Sequence, residues 1–198
     1  MGQPSNPAEL HEYDESWPVR AADLLRTIRE RLADVPGAAD ADYDHIGSTS
    51  VPGLAAKPHL DLQIRISPLP SDRDVSARLG DLGFERAVGA RPDSPGVHRD
   101  IPRGSEPVDD AMWEKSLFVN VSERVILHVR RRDSPWGRYA VWFRDWLRAH
   151  DGQRDRYEAV KRRLSTQEVG AADYDDYTRA KTEYLDDVQA EFEEWARA

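Results

Sequence analysis

Residues 44–64 place a glycine, three consecutive hydroxyl residues and then a carboxylate in a short stretch: Gly47-Ser48-Thr49-Ser50, followed by Asp61. Glycine lets a backbone come close to a ligand, and hydroxyl and amide donors suit phosphate oxygens. An acid on the following strand could hold a cation against such a phosphate. The same residue types also favour turns and helix caps with no ligand present. The elements around the turn must therefore bring the acid to it if chemistry is to follow.

From His59 to Ile66 the pattern alternates strictly. Leu60, Leu62, Ile64 and Ile66 fall on one face of a strand, and His59, Asp61, Gln63 and Arg65 on the other. The polar face either meets water or lines a cleft entered from the glycine turn. A strand over 42–46 precedes the turn. Before it, residues 18–33 carry Ala22, Leu25, Ile28 and Leu32 at helical spacing, with Pro18 suited to a first turn. A helix is expected over 71–82 from a Ser71 cap to Gly83, and a short strand over 84–88. Four prolines and three glycines make residues 89–108 a long loop. Residues 117–121 and 124–130 read as a hairpin turning at Ser122-Glu123. Its second strand puts Val125, Leu127 and Val129 on one face and Ile126, His128 and Arg130 on the other. The last third is helical, over 137–150, 153–164 and 173–197. Its aromatic stripe of Tyr139, Trp142, Phe143 and Trp146 reads as packing.

Composition narrows the function classes. The chain has 198 residues, enough for one domain with a substantial core. A net charge of −9 argues against binding a nucleic acid polymer through its phosphates. No run approaches a membrane span, and residues 1–7 lack a basic and apolar signal pattern, so a cytoplasmic location is expected. With no cysteine there are no disulfides, thiol nucleophiles or thiolate metal sites.

The segment from His45 to Asp61 resembles the signature of the GrpB family. The match extends to Tyr13-Asp14-Glu15-Ser16-Trp17-Pro18, to residues 143–150 and 157–161, and to residues 174–181. Together these cover about 11–190. The resemblance implies an α/β, nucleotidyltransferase-like fold: a mixed β-sheet flanked by helices, with a helical C-terminal part. The implied organisation is a flexible tail over 1–10, a core over 11–135 and a helical part over 136–198 packed on it.

In that fold type the Gly-Ser turn contacts nucleotide phosphates, two acids spaced D-x-D follow on one strand, and a third sits on a neighbouring strand. Two magnesium ions held by three carboxylates then bridge the reacting oxygens. Here Gly47, Ser48 and Asp61 are kept, Gln63 takes the second acid's place, and His128 stands where a third acid is expected. The expected catalytic set is Asp61, His128 as metal ligand or general base, and Lys57 to stabilise leaving-group charge. Asp61 and His128 are the expected ligands for Mg2+ or Mn2+. Gly47, Ser48, Thr49, Ser50, Arg65, Arg130, Arg144, Arg148 and Lys181 are the expected contacts to a nucleotide or other phosphorylated small molecule. Transfer of a nucleotidyl or related group to a small acceptor is the enzymatic reading. The alternative is a non-catalytic ligand-binding or folding-accessory module, because a domain of this type is fused to some bacterial dephospho-coenzyme A kinases. No phosphate loop of the G-x-x-x-x-G-K-[ST] kind occurs here.

Overall fold

The computed structural model describes residues 9–88, 96–103, 109–167 and 175–198, with the backbone alone for 167 and 175–182. Most of the expected N-terminal tail and more than half of the expected 89–108 loop lie outside these residues. Among the described residues five strands form one mixed sheet: β1 (Asp42–Ile46), β2 (Leu60–Ile66), β3 (Glu85–Arg86), β4 (Lys115–Asn120) and β5 (Val125–Arg131), in the order β1-β2-β5-β4-β3. β2 and β5 run parallel and the other neighbours antiparallel. The described residues also form five α-helices: α1 (Ser16–Arg31), α2 (Asp72–Leu79), α3 (Pro135–Ala149), α4 (Asp151–Gln167) and α5 (Asp175–Arg197). The mixed sheet, its flanking helices and the helical last third are those of the nucleotidyltransferase-like expectation.

The alternation read from residues 59–66 sorts the two faces of the sheet. Leu60, Leu62, Ile64 and Ile66 join Phe118, Val125, Leu127 and Val129 in a core closed by Trp17, Ala21 and Ile28 of α1 and Val75 and Leu79 of α2. Helix α1 begins where the Asp14 carboxylate accepts the Ser16 amide at 2.8 Å. In α2, Ser71 accepts the Asp74 amide, a cap that satisfies one of the free donors of the first turn. The expected helix over 71–82 ends as α-helix at Leu79 and tightens to a 3₁₀ turn at Gly80–Leu82.

The opposite face of the sheet is polar. Register places Asp44, Gln63, His128 and Leu117 in one row across it, and Asp42, Arg65, Arg130 and Lys115 in the next. Helix α3 crosses this face, beginning at Pro135. Its aromatic stripe does pack: Tyr139, Trp146 and Leu147 join Val51, Leu54, Tyr157, Tyr184, Val188 and Phe192 in a second core. Strand β4 starts at Lys115, ahead of the expected Leu117, because Lys115 and Ser116 are buried with acidic partners. The hairpin turns where expected, with the Asn120 side chain accepting from Ser122 and from the Glu123 amide.

Phe192 touches Tyr139, Phe143 and Trp146 and is 1% exposed. Phe192→Ala is expected to lower the free energy of unfolding by about 3–5 kcal/mol in a urea titration. A change below about 1 kcal/mol would show that α5 contributes little to the second core.

Candidate functional site

The turn between β1 and β2 is built on Gly47, whose φ of +73° is costly for any residue with a Cβ. A Cβ there would overlap the Asp61 carboxylate, coming within 2.9 Å of its Cγ. The backbone of the turn thus rests directly against the acid of β2, as a backbone phosphate cradle over a carboxylate requires. Of the three hydroxyls expected to face a ligand, two are engaged inside the protein. Thr49 donates to the His59 carbonyl at 3.1 Å and contacts His45 Nε2 at 3.0 Å; Ser50 donates to the Gly47 carbonyl. Both are buried. Of the three, only Ser48 is partly exposed. Because Thr49 spends its proton on the His59 carbonyl, it accepts from His45, whose Nε2 therefore carries a hydrogen, as in the Nε2–H form of the neutral ring. Burial agrees, pushing the His45 pKa down to about 4.

Helices α3 and α4 clamp the turn from outside. Arg148 donates to the Ser50 carbonyl at 2.7 and 3.0 Å, and Arg144 to the His45 carbonyl at 3.0 Å. Arg144 also forms a two-pronged pair with Asp145. In α4, Glu158 accepts the Ala55 amide at 2.9 Å, and Lys161 donates to the Ala55 carbonyl. Arg144 and Arg148, expected to meet a ligand, spend these hydrogen bonds on positioning the turn.

Behind Asp61 the polar face carries a connected set of buried charges. His128 Nε2 lies 3.8 Å from Asp61 Oδ1, and its Nδ1 is 3.1 Å from Lys115 Nζ. Lys115 in turn pairs with Asp100 at 3.1 Å. Arg130 grips Asp100 through two hydrogen bonds at 2.7 and 3.0 Å and donates to Gln63 Oε1 at 2.7 Å. Gln63, fully buried, donates its amide to the Gly137 carbonyl at 3.0 Å. A carboxylate at residue 63 could not make that last bond, which accounts for an amide where an acid was expected.

The charges set one another's ionisation. Burial, then the nearby Lys115 and Arg130, pushes the His128 pKa down to about 3, outweighing the pull of Asp61. Burial lowers Lys115 to about 8 despite its Asp100 partner. Burial alone would raise the Asp100 carboxyl, but Arg130 and Lys115 outweigh it and hold it well below the ordinary carboxylate range.

Gly47 rests on Asp61, Ser48 follows Gly47 in the turn, and His128 lies beside Asp61; Asp61 and His128 keep 28% and 18% of their side chains exposed, so that this part of the polar face is partly open. The remaining expected residues lie elsewhere in the arrangement. Arg130 is buried against Asp100, and Arg65 pairs with Asp44 and Asp42 beneath Gly137. Lys57 lies between the turn and β2, its ammonium buried within the fold. Lys181 falls in α5, its side chain outside the described residues. Lys115 and Asp100 were missed by sequence reasoning. The i, i+2 spacing of Lys115 with Leu117 carries the first onto the His128 face; nothing local marks Asp100.

The site does not fit a resident two-ion centre. Among the described residues no three His, Asp or Glu side chains gather as a metal would need. His128 Nδ1 accepts from Lys115, which leaves the imidazole hydrogen on Nε2 and no lone pair there for a metal. Asp61 alone fits one divalent cation whose other ligands are phosphate oxygens and water.

Comparison with known proteins gives the relatives. The model of the family described as GrpB protein matches residues 7–191. A UPF0157 protein of Streptomyces coelicolor is 35% identical over 89% of this chain and 79% of its own. The dephospho-CoA kinase of Mycolicibacterium paratuberculosis is 29% identical over 96% of this chain, which spans only 47% of that protein. The crystal structure of a conserved GrpB protein from Enterococcus faecalis superposes with a TM-score of 0.63 at 19% identity, over 89% of this chain and 97% of that one. Among the described residues no helix is long and apolar enough to cross a membrane.

Two histidines held neutral make the fold sensitive to mild acid. Both folded pKa values lie below the unfolded value near 6.5, so below that pH the unfolded chain binds more protons and stability falls as pH falls. The urea midpoint is expected to drop steadily between about pH 6.5 and pH 4, and less steeply in the His45→Gln, His128→Gln double variant. A midpoint that stays flat over that window would contradict neutral, buried histidines.

Proposed function

The chain belongs to the GrpB protein family, and we propose that it binds a phosphorylated small molecule, a nucleotide foremost, at the Gly47-Ser48 turn. The observation that carries this reading is the seating of Gly47 on the partly exposed Asp61 carboxylate, with His128 Nε2 3.8 Å from that carboxylate and the partly exposed Ser48 next in the turn. The amides of Gly47 and Ser48 and the Ser48 hydroxyl would supply donors for phosphate oxygens. A bare phosphate beside Asp61 would be repelled, so Asp61 would hold a Mg2+ or Mn2+ ion brought by the ligand. That ion would neutralise phosphate charge. Arg144, Arg148, Glu158 and Lys161 hold the turn in the shape this binding needs.

Binding is favoured over two-metal nucleotidyl transfer because Gln63 occupies the second acid's position and both ends of its amide are committed. Transfer to a small acceptor with a single shared ion remains the enzymatic form of the same site. An accessory role is supported by the kinases among the relatives, in which the matched region is about half of the protein.

Calorimetric titration of ATP with and without magnesium or manganese tests this reading. Wild type is expected to bind in a metal-dependent manner. Asp61→Asn is expected to weaken binding by about tenfold or more, and Ser48→Ala by less. Binding indifferent to Asp61→Asn, or no binding of any nucleoside triphosphate, would overturn it.

A further inference from the structure

Lys115 lies behind the opening, its side chain 2% exposed, and does not reach it. Its ammonium has three hydrogens and no lone pair, so the direction of its contacts is fixed. One hydrogen goes to Asp100 Oδ1 at 3.1 Å and another to His128 Nδ1 at 3.1 Å. A neutral imidazole that accepts on Nδ1 carries its hydrogen on Nε2. That hydrogen lies on the Asp61 side of the ring, where both side chains are partly exposed. Asp61 Oδ1, at 3.8 Å, is too far to use it as a hydrogen bond.

We propose that Lys115 is a positioning residue that locks His128 as the Nε2–H tautomer, making His128 a hydrogen-bond donor to an anionic oxygen of the ligand. The inference rests on the reading of this opening as a ligand site and adds the chemistry of one wall. A donor beside Asp61 selects phosphoryl or carboxylate oxygens and gives no purchase to an amine. It also removes His128 as a resting general base, since the lone pair a base needs is turned toward Lys115. Of the groups facing His128, Lys115 from β4 and Arg130 from β5 disfavour the doubly protonated ring and, with burial, outweigh Asp61 from β2, which favours it. Asp100, from the loop before β4, keeps Lys115 charged and in place, so that it continues to donate at neutral pH.

The test is a long-range proton–nitrogen correlation spectrum of the full 15N-labelled chain without ligand at about pH 7, where unperturbed histidines are largely neutral. His128 is assigned by the signals missing in His128→Gln. The wild type is expected to show His128 as the neutral Nε2–H form. Lys115→Met is expected to lose that form, and Lys115→Gln to retain it through its amide donor. Magnesium ATP is expected to bind about tenfold more weakly to Lys115→Met than to Lys115→Gln. A wild-type His128 that is protonated on Nδ1, or on both nitrogens, overturns the proposal, as does a Lys115→Met variant that keeps the Nε2–H form. Should Lys115→Met fail to fold, the wild-type and Lys115→Gln spectra still decide it. The tautomer is read without nucleotide, so a failure of nucleotide binding sinks the functional reading separately.

Discussion

Two cations, Lys115 and Arg130, are buried on the polar face of the sheet, and the single carboxylate of Asp100 pairs with both. An unpaired charge in such a place costs several kcal/mol, so the pairing is a condition for closing α3 over this face at all. Everything next to the site hangs from it in two branches. Through Lys115 the pairing fixes His128, and with it the wall opposite Asp61. Through Arg130 it fixes Gln63, and Gln63 in turn holds the Gly137 carbonyl in the first turns of α3. Gly137 suits that place because a Cβ there would come within 2.8 Å of the Arg65 side chain.

The two faces of the sheet therefore do different work. The apolar face, packed on α1 and α2, supplies the hydrophobic stabilisation that every sheet of this kind requires. The polar face is covered by helices whose own core lies to one side, and its rows of charges satisfy one another under that cover. The Gly-Ser turn sits where the two systems join. Its inner hydroxyls and carbonyls are tied down by His45, Arg144 and Arg148, and the segment after it by Glu158 and Lys161. What stays open is small: the outer edge of Gly47 and Ser48, one carboxylate and one imidazole edge. A rigid turn of this kind loses little entropy on meeting a ligand, which favours recognition by few contacts.

Sequence carried the fold well because most of it is written in local periodicity. The alternation of Leu60, Leu62, Ile64 and Ile66 places β2, and that of Val125, Leu127 and Val129 places β5, since a half-buried strand needs that pattern. The aromatic spacing of α3 gave its buried face for the same reason. The site was legible only in part. Gly47, Ser48 and Asp61 stand close in sequence and could be read together. Arg130 read as a ligand contact because its partner, Asp100, lies thirty residues upstream in a proline-rich stretch with no periodic pattern. Gln63 read as a lost metal ligand because its two hydrogen bonds reach Gly137 and Arg130, both distant in sequence. The hydroxyls of Thr49 and Ser50 looked free for a phosphate, and only the folded turn reveals that His59 and Gly47 take them.

The proposed ligand site is confined to one small patch formed by Gly47, Ser48, Asp61 and His128. The most direct measurement is chemical-shift mapping on the 15N-labelled chain as magnesium ATP is added. The account predicts that the amides of Gly47 and Ser48 and the His128 side chain move first and furthest, with the outer faces of α4 and α5 unmoved. Shifts concentrated on those helices while Gly47 and Ser48 stay still would contradict it.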